Sequence, residues 1–86
     1  MSFLSDNVIP GNHGKVFSTD STKVSDLENI QNIILKIDGI KDVILNDSVF
    51  PMEFTVHTSK VVRVDSIQNT VKKTGFHAIP KGLFRL

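Results

Sequence analysis

Two apolar stripes of helical period, each closed by a glycine, are the strongest constraint on what this 86-residue chain can fold into. Leu27, Ile30, Ile34 and Ile37 recur at the spacing of one helix face, and Ile33 widens that face. Gly39 follows the stripe: a left-handed C-terminal residue costs least as glycine, and Ile40 beyond it can fold back on the last turn. A shorter stripe, Ile67 and Val71, is ended by Gly75 in the same way. Ser25-Asp26-Leu27-Glu28 matches a capping box and predicts that the first helix starts there. Asp65 is the predicted N-cap of a second helix over residues 66–74.

Between and around the stripes lie runs of strand character. Lys15-Val16-Phe17-Ser18-Thr19 is rich in β-branched and aromatic residues, Val43-Ile44-Leu45 is a short apolar run, and Phe76 to Ile79 follows the second glycine at once. Met52 to Thr58 alternates cleanly: Met52, Phe54 and Val56 on one face, Glu53, Thr55 and His57 on the other. Such a strand belongs to a sheet covered on one side only, with a polar open face. The order strand, helix, strand, strand, helix, strand predicts an α+β fold, a ferredoxin-like βαββαβ sandwich with a four-stranded antiparallel sheet and two helices on one face. The domain is expected over residues 15–80. Residues 1–14, with turn chemistry at Pro10-Gly11-Asn12, read as a tail or as a short extra strand at Val8-Ile9; residues 81–86 read as a C-terminal tail that either docks or stays loose.

Composition removes whole classes of function. The chain is 40% hydrophobic and 22% charged, enough apolar surface for one self-sufficient core, and at 86 residues it holds one domain. It contains no cysteine, so neither a disulfide framework nor a thiolate metal site can form. No apolar run approaches the roughly 18 residues of a membrane span, and the start lacks a basic leader, so a cytoplasmic location and no membrane partner are expected. Residues 1–46 carry four lysines and six acids, residues 47–86 six basic residues and three acids. Lys60, Arg63, Lys72, Lys73, Lys81 and Arg85 are scattered along the basic half rather than gathered in a stripe, so they read as a solvated face and nucleic acid is not an expected partner. The open face would also lack the aromatic pair that stacks bases in RNA-recognition domains. No serine or threonine has a visible base, no carboxylates stand at acid-base spacing and no Gly-rich phosphate loop occurs, so the chain reads as no enzyme.

The pattern Leu27-x-x-Ile30-x-x-x-Ile34-x-x-Ile37-x-Gly39-Ile40-x-x-Val43, together with Ile67-x-x-x-Val71-x-x-x-Gly75-Phe76 at the right separation, resembles the heavy-metal-associated domain family of small copper chaperones and copper-pumping ATPases. The resemblance covers roughly residues 15–80. It implies a metal loop of the form Met-x-Cys-x-x-Cys, which counting back from Gly39 sets at Ser21, Lys23 and Asp26. All three ligands are replaced. Soft Cu(I) needs thiolates and an ammonium has no lone pair to give, so copper transfer by ligand exchange is excluded. The resemblance also implies that Phe76 lies beside this loop, with His77 one residue on.

The remaining donors are His13, His57, His77 and Asp26 with nearby carboxylates, and no two histidines share a helical-face spacing. A transition-metal ion such as zinc, nickel or copper(II) could be held only by residues brought together in space, with His57, His77 and Asp26 as the candidate ligands. The plainer reading makes each imidazole a half-exposed strand or turn residue and makes Ser25 or Asp26 a helix cap. Lys23 beside a helix start could attract an anion or an acidic side chain of a partner, but caps on the same backbone donors leave little room for one. The expected function is a non-catalytic binding module in a metal-handling context that joins a protein partner and is itself a monomer or weak homodimer; the alternative is metal binding through His and Asp.

Overall fold

The structure, a computed structural model, describes residues 7–10 and 14–81; His13 and the tail from Gly82 lie outside them. The elements are β1 (Asn7–Val8), β2 (Lys15–Thr19), α1 (Val24–Ile34), β3 (Ile40–Asn46), β4 (Glu53–Thr58), β5 (Val62–Arg63), α2 (Val64–Lys72) and β6 (Ala78–Pro80). Four strands form one antiparallel sheet in the order β3-β4-β2-β6, the split arrangement in which β2 and β4 are central and β3 and β6 lie at the edges. This is the expected ferredoxin-like βαββαβ sandwich.

Side-chain period does the layering. In β4, Phe54, Val56 and Thr58 are buried while Glu53, Thr55 and His57 lie half-exposed on the other face. Phe17 and Phe54 stack with ring centroids 5.3 Å apart, and against them the helices bring Leu27, Ile30 and Ile34 from α1 and Val64, Ile67 and Val71 from α2. Each such fully buried side chain contributes about 1.5–3 kcal/mol relative to exposure.

The helix starts differ from the caps the sequence suggests. Lys23 is the N-cap of α1 and its side chain makes no capping bond, so Ser25 lies inside the helix and no capping box forms. Ser21 and Leu27 are both buried, and pinning both positions sets where the turn begins, overriding the local capping preference. In α2 the N-cap is Arg63, not Asp65, because Val62 of β5 and Val64 are both buried and the chain passes from strand to helix without a loop. Asp65 instead takes the Arg63 guanidinium in a two-pronged pair, at 3.0 Å from Nε and 2.7 Å from Nη2. The first apolar stripe outlasts its helix. After Ile34 the chain tightens, with the Ile37 amide bonded to the Ile34 carbonyl at 2.9 Å, and Ile37 and Ile40 still pack on the core around Gly39 at φ +96°. A side chain at Gly39 would be strained and would lie 2.8 Å from Lys60 Cγ.

Strand lengths also shift. β3 is longer than the Val43-Ile44-Leu45 run, with a register irregularity between Ile40 and Asp42, and β6 starts at Ala78 rather than Phe76. A two-residue strand forms near the N-terminus at Asn7–Val8, one residue before the Val8-Ile9 pair, and it does not pair with β2. Asn7 and Val8 pair antiparallel with Arg63 and Val62, placing Val8 (1% exposed) in the core.

Candidate functional site

The loop that the resemblance marks as the metal loop joins β2 to α1, and packing anchors it at Ser21. The Thr19 amide bonds the Met52 carbonyl at 2.9 Å, tying the end of β2 to the start of β4. Ser21, at the family's methionine position, is 1% exposed and its Oγ lies 4.0 Å from Met52 Sδ. Thr19 is 2% exposed, and its hydroxyl has no hydrogen-bond partner among the described residues. Lys23 is exposed and Asp26 half-buried in the first turn of α1.

Across this loop stands His77. Its backbone N–H donates to Asp20 Oδ1 at 2.8 Å and its ring Nδ1 lies 3.2 Å from Oδ2 of the same carboxylate. These bonds, the backbone one foremost, hold the Asp20 carboxyl below the usual range. His77 thus does lie beside the loop, as the resemblance implies, although its partner Asp20 carries no sequence signal: a single acid after a strand is ordinary.

His57 forms a second pair of the same kind. Its Nδ1 lies 2.8 Å from Asp42 Oδ1 across the β3–β4 ladder, on the open face. Gly14 packs against that ring so closely that a Cβ would sit 2.9 Å from Nε2. The partnership with Asp42 depends on strand register, which residue spacing alone does not reveal.

The two pairs are far apart. Val56 is level with Lys15 and Ala78 with Thr19, so His57 and His77 flank opposite ends of β2, separated by about six residues of strand or on the order of 20 Å. They cannot share an ion whose ligands lie about 2 Å from it. Among the described residues no group of three His, Asp or Glu side chains gathers at metal-binding range, so His57, His77 and Asp26 are not brought together. The loop fails the fit to soft copper too: a buried hydroxyl, an ammonium and a carboxylate stand where a thioether and two thiolates would be needed.

The exposed apolar surface lies elsewhere. Ile44 (54% exposed) and Ile79 (60%) emerge on the open sheet face, and Val49 and Phe50 (82%) project from the loop between β3 and β4. Charged pairs accompany them: Glu53 with Lys81 at 2.7 Å on the open face, and Asp38 with Lys60 beyond it. A groove of about 360 Å3 between the helices has Lys36 and Lys73 among its lining residues. Its threonines, Thr70 and Thr74, already donate to the Ser66 and Val71 carbonyls. Among the described residues no helix is long and apolar enough to cross a membrane.

No family model matches the chain, and no curated protein sequence matches it significantly. The fold does match a solved structure, the apo form of the heavy-metal-associated domain of the copper chaperone for superoxide dismutase, with a TM-score of 0.64 and 23% identity over 88% of this chain and 80% of that one. The chain therefore has the fold of a heavy-metal-associated domain, without the cysteines of a metal loop.

Proposed function

We propose that the protein is a non-catalytic binding module, a heavy-metal-associated fold that acts by contact with a protein partner in a metal-handling setting. The observation that carries this reading is the pairing of a sealed loop with an exposed apolar surface. Ser21 is buried against Met52 where a ligand would be, while Ile44, Val49 and Phe50 are left to solvent along one sheet edge and its following loop. The structural neighbour is a domain of a protein named as a copper chaperone for superoxide dismutase, which supports the metal-handling setting. Affinity capture from cell extract tests the reading: the wild type is expected to retain a protein that a Phe50→Asp, Ile44→Asp variant loses. No retained protein, together with a monomer at high concentration, sinks it.

A second reading, weak binding of zinc, nickel or copper(II), is favoured by one feature. In both Asp–His pairs the carboxylate takes Nδ1 and so orients the ring with Nε2 as the potential ligand, as second-shell carboxylates do for metal-bound imidazoles. The separation of the pairs limits each to one imidazole. Calorimetric titration with zinc, nickel and copper(II) tests this reading, and the absence of any binding tighter than about 10 μM ends it.

A further inference from the structure

We propose that β3 is the edge through which two copies of this chain join, pairing antiparallel about Ile44, and that Gln31 guards this edge in the isolated protein. The proposal deepens the binding-module reading and rests on it. The sheet order leaves β3, seven residues long, at one edge, whereas the opposite edge strand β6 has three residues. A long edge strand offers alternate residues whose N–H and C=O point outward and can template another strand.

One side-chain bond identifies which residues those are. Gln31 Nε2 of α1 donates to the Val43 carbonyl at 2.7 Å, so that carbonyl points away from β4. The two-residue period then assigns Leu45 to the outward set and turns Ile44 toward β4. Val43-Ile44-Leu45 carries no charge and no proline, the usual deterrents of an edge, and Ile44 is 54% exposed. The deterrents present are the charges of Lys41 and Asp42, the irregularity between Ile40 and Asp42, and the Gln31 amide itself.

Self-pairing is favoured because hydrogen-bond phase and side-chain chemistry select the same register. A two-fold axis at Ile44 sets Val43 opposite Leu45 of the second copy, outward residue to outward residue, so two such pairs each exchange two main-chain bonds. On the open face it sets Ile44 against Ile44 and Asp42 against Asn46 of the second copy. Asn46 Oδ1 already accepts from the Ser48 amide and hydroxyl, which leaves its Nδ2 to donate, and Asp42 has one oxygen on His57 and another to accept. Lys41 comes level with Asp47 of the second copy, a pair of opposite charges. Centring on Asp42 would face two carboxylates, and centring on Val43 would put Asp42 opposite Ile44. Each Gln31 amide competes with the incoming strand for the Val43 carbonyl, which keeps the association weak.

Sedimentation velocity and amide exchange by NMR from micromolar to millimolar protein test this. The expected result is reversible dimerisation in which the Val43 and Leu45 amides gain protection with concentration and the Ile44 amide, already turned to β4, changes least. Gln31→Ala removes the competing donor and is expected to tighten the dimer by about tenfold. Ile44→Lys, at an exposed position, sets two ammonium groups together on the axis and is expected to abolish the dimer while the fold persists. A wild type and Gln31→Ala variant both monomeric at millimolar concentration overturn the proposal, as does association without the alternating protection. If the monomeric Gln31→Ala variant still captures a heterologous protein, self-pairing fails and the binding-module reading stands.

Discussion

Two loops at the same end of the sheet have opposite characters. The loop from β2 to α1 is tied down at two points: Ser21 is 1% exposed against Met52, and Asp20 is bonded to the backbone and ring of His77. The loop from β3 to β4 turns its side chains outward, with Phe50 82% exposed and Val49 39%. The exposed apolar surface at this end of the sheet therefore sits on the β3–β4 loop and not on the β2–α1 loop. The difference teaches that packing against Met52 and the bonds of Asp20 to His77 anchor the β2–α1 loop, whereas no such bonds restrain Val49 and Phe50 among the described residues.

The largest test restores the missing donors. Lys23 and Asp26 stand three residues apart at the start of α1, near enough in a first turn, about 5–6 Å between Cβ atoms, for two sulfurs to reach one ion. Lys23→Cys with Asp26→Cys is expected to turn undetectable Cu(I) binding into stoichiometric capture against a chelator. If the double variant stays blind to Cu(I), closure of the loop and not the want of thiolates is what bars the metal.

Next in size is a charge placed in the sealed loop. Ser21→Asp would put a carboxylate at a position that is 1% exposed with a thioether for company, and is expected to destabilise the fold by about 3 kcal/mol or more in urea denaturation. A loss below about 1 kcal/mol would show that the loop opens readily, and the contrast between the loops would dissolve.

Much of this fold was legible in the chain, and the site was not, for a common physical reason. The stripe Leu27, Ile30, Ile34 and Ile37 and the alternation from Met52 to Thr58 are local patterns whose period declares the buried face, so the helices, the sheet and the open face followed directly. The capping box at Ser25 failed because burial of Ser21 decides where α1 starts, and burial is not a local property. Likewise His57 and His77 looked like possible partners in one site, but only strand register shows that each has its own aspartate at its own end of β2. Gln31 gains meaning only from the edge carbonyl it reaches.

Asp20 gives a smaller effect with a pH signature. Its carboxyl is held low first by the His77 backbone N–H and then by the His77 ring, so the stabilisation is present above the ordinary carboxyl pKa of about 4 and is lost as pH falls through the lowered value. Asp38 and Asp65 are held low by Lys60 and Arg63 and share that acid slope. Asp20→Ala is expected to cost about 1 kcal/mol at neutral pH, discounted because the carboxyl is half-exposed. Asp20→Asn keeps an oxygen for the His77 amide but cannot titrate; its urea midpoint should fall less than the wild type's between pH 5 and pH 3. Equal falls would mean that His77 does not draw on the charge of Asp20.

The smallest stability effect belongs to the open loop, and that smallness is what the comparison requires. Phe50→Asp replaces an aromatic ring that is 82% exposed, so little burial is lost, and the urea midpoint is expected to stay within about 0.5 kcal/mol of the wild type. An exposed ring beside Val49, on the loop that follows Ile44, is apolar surface of the kind a protein partner covers. Partner capture should therefore fall with Phe50→Asp while stability holds. A large loss of stability would instead make Phe50 a packing residue, and the two loops would then differ in degree rather than in kind.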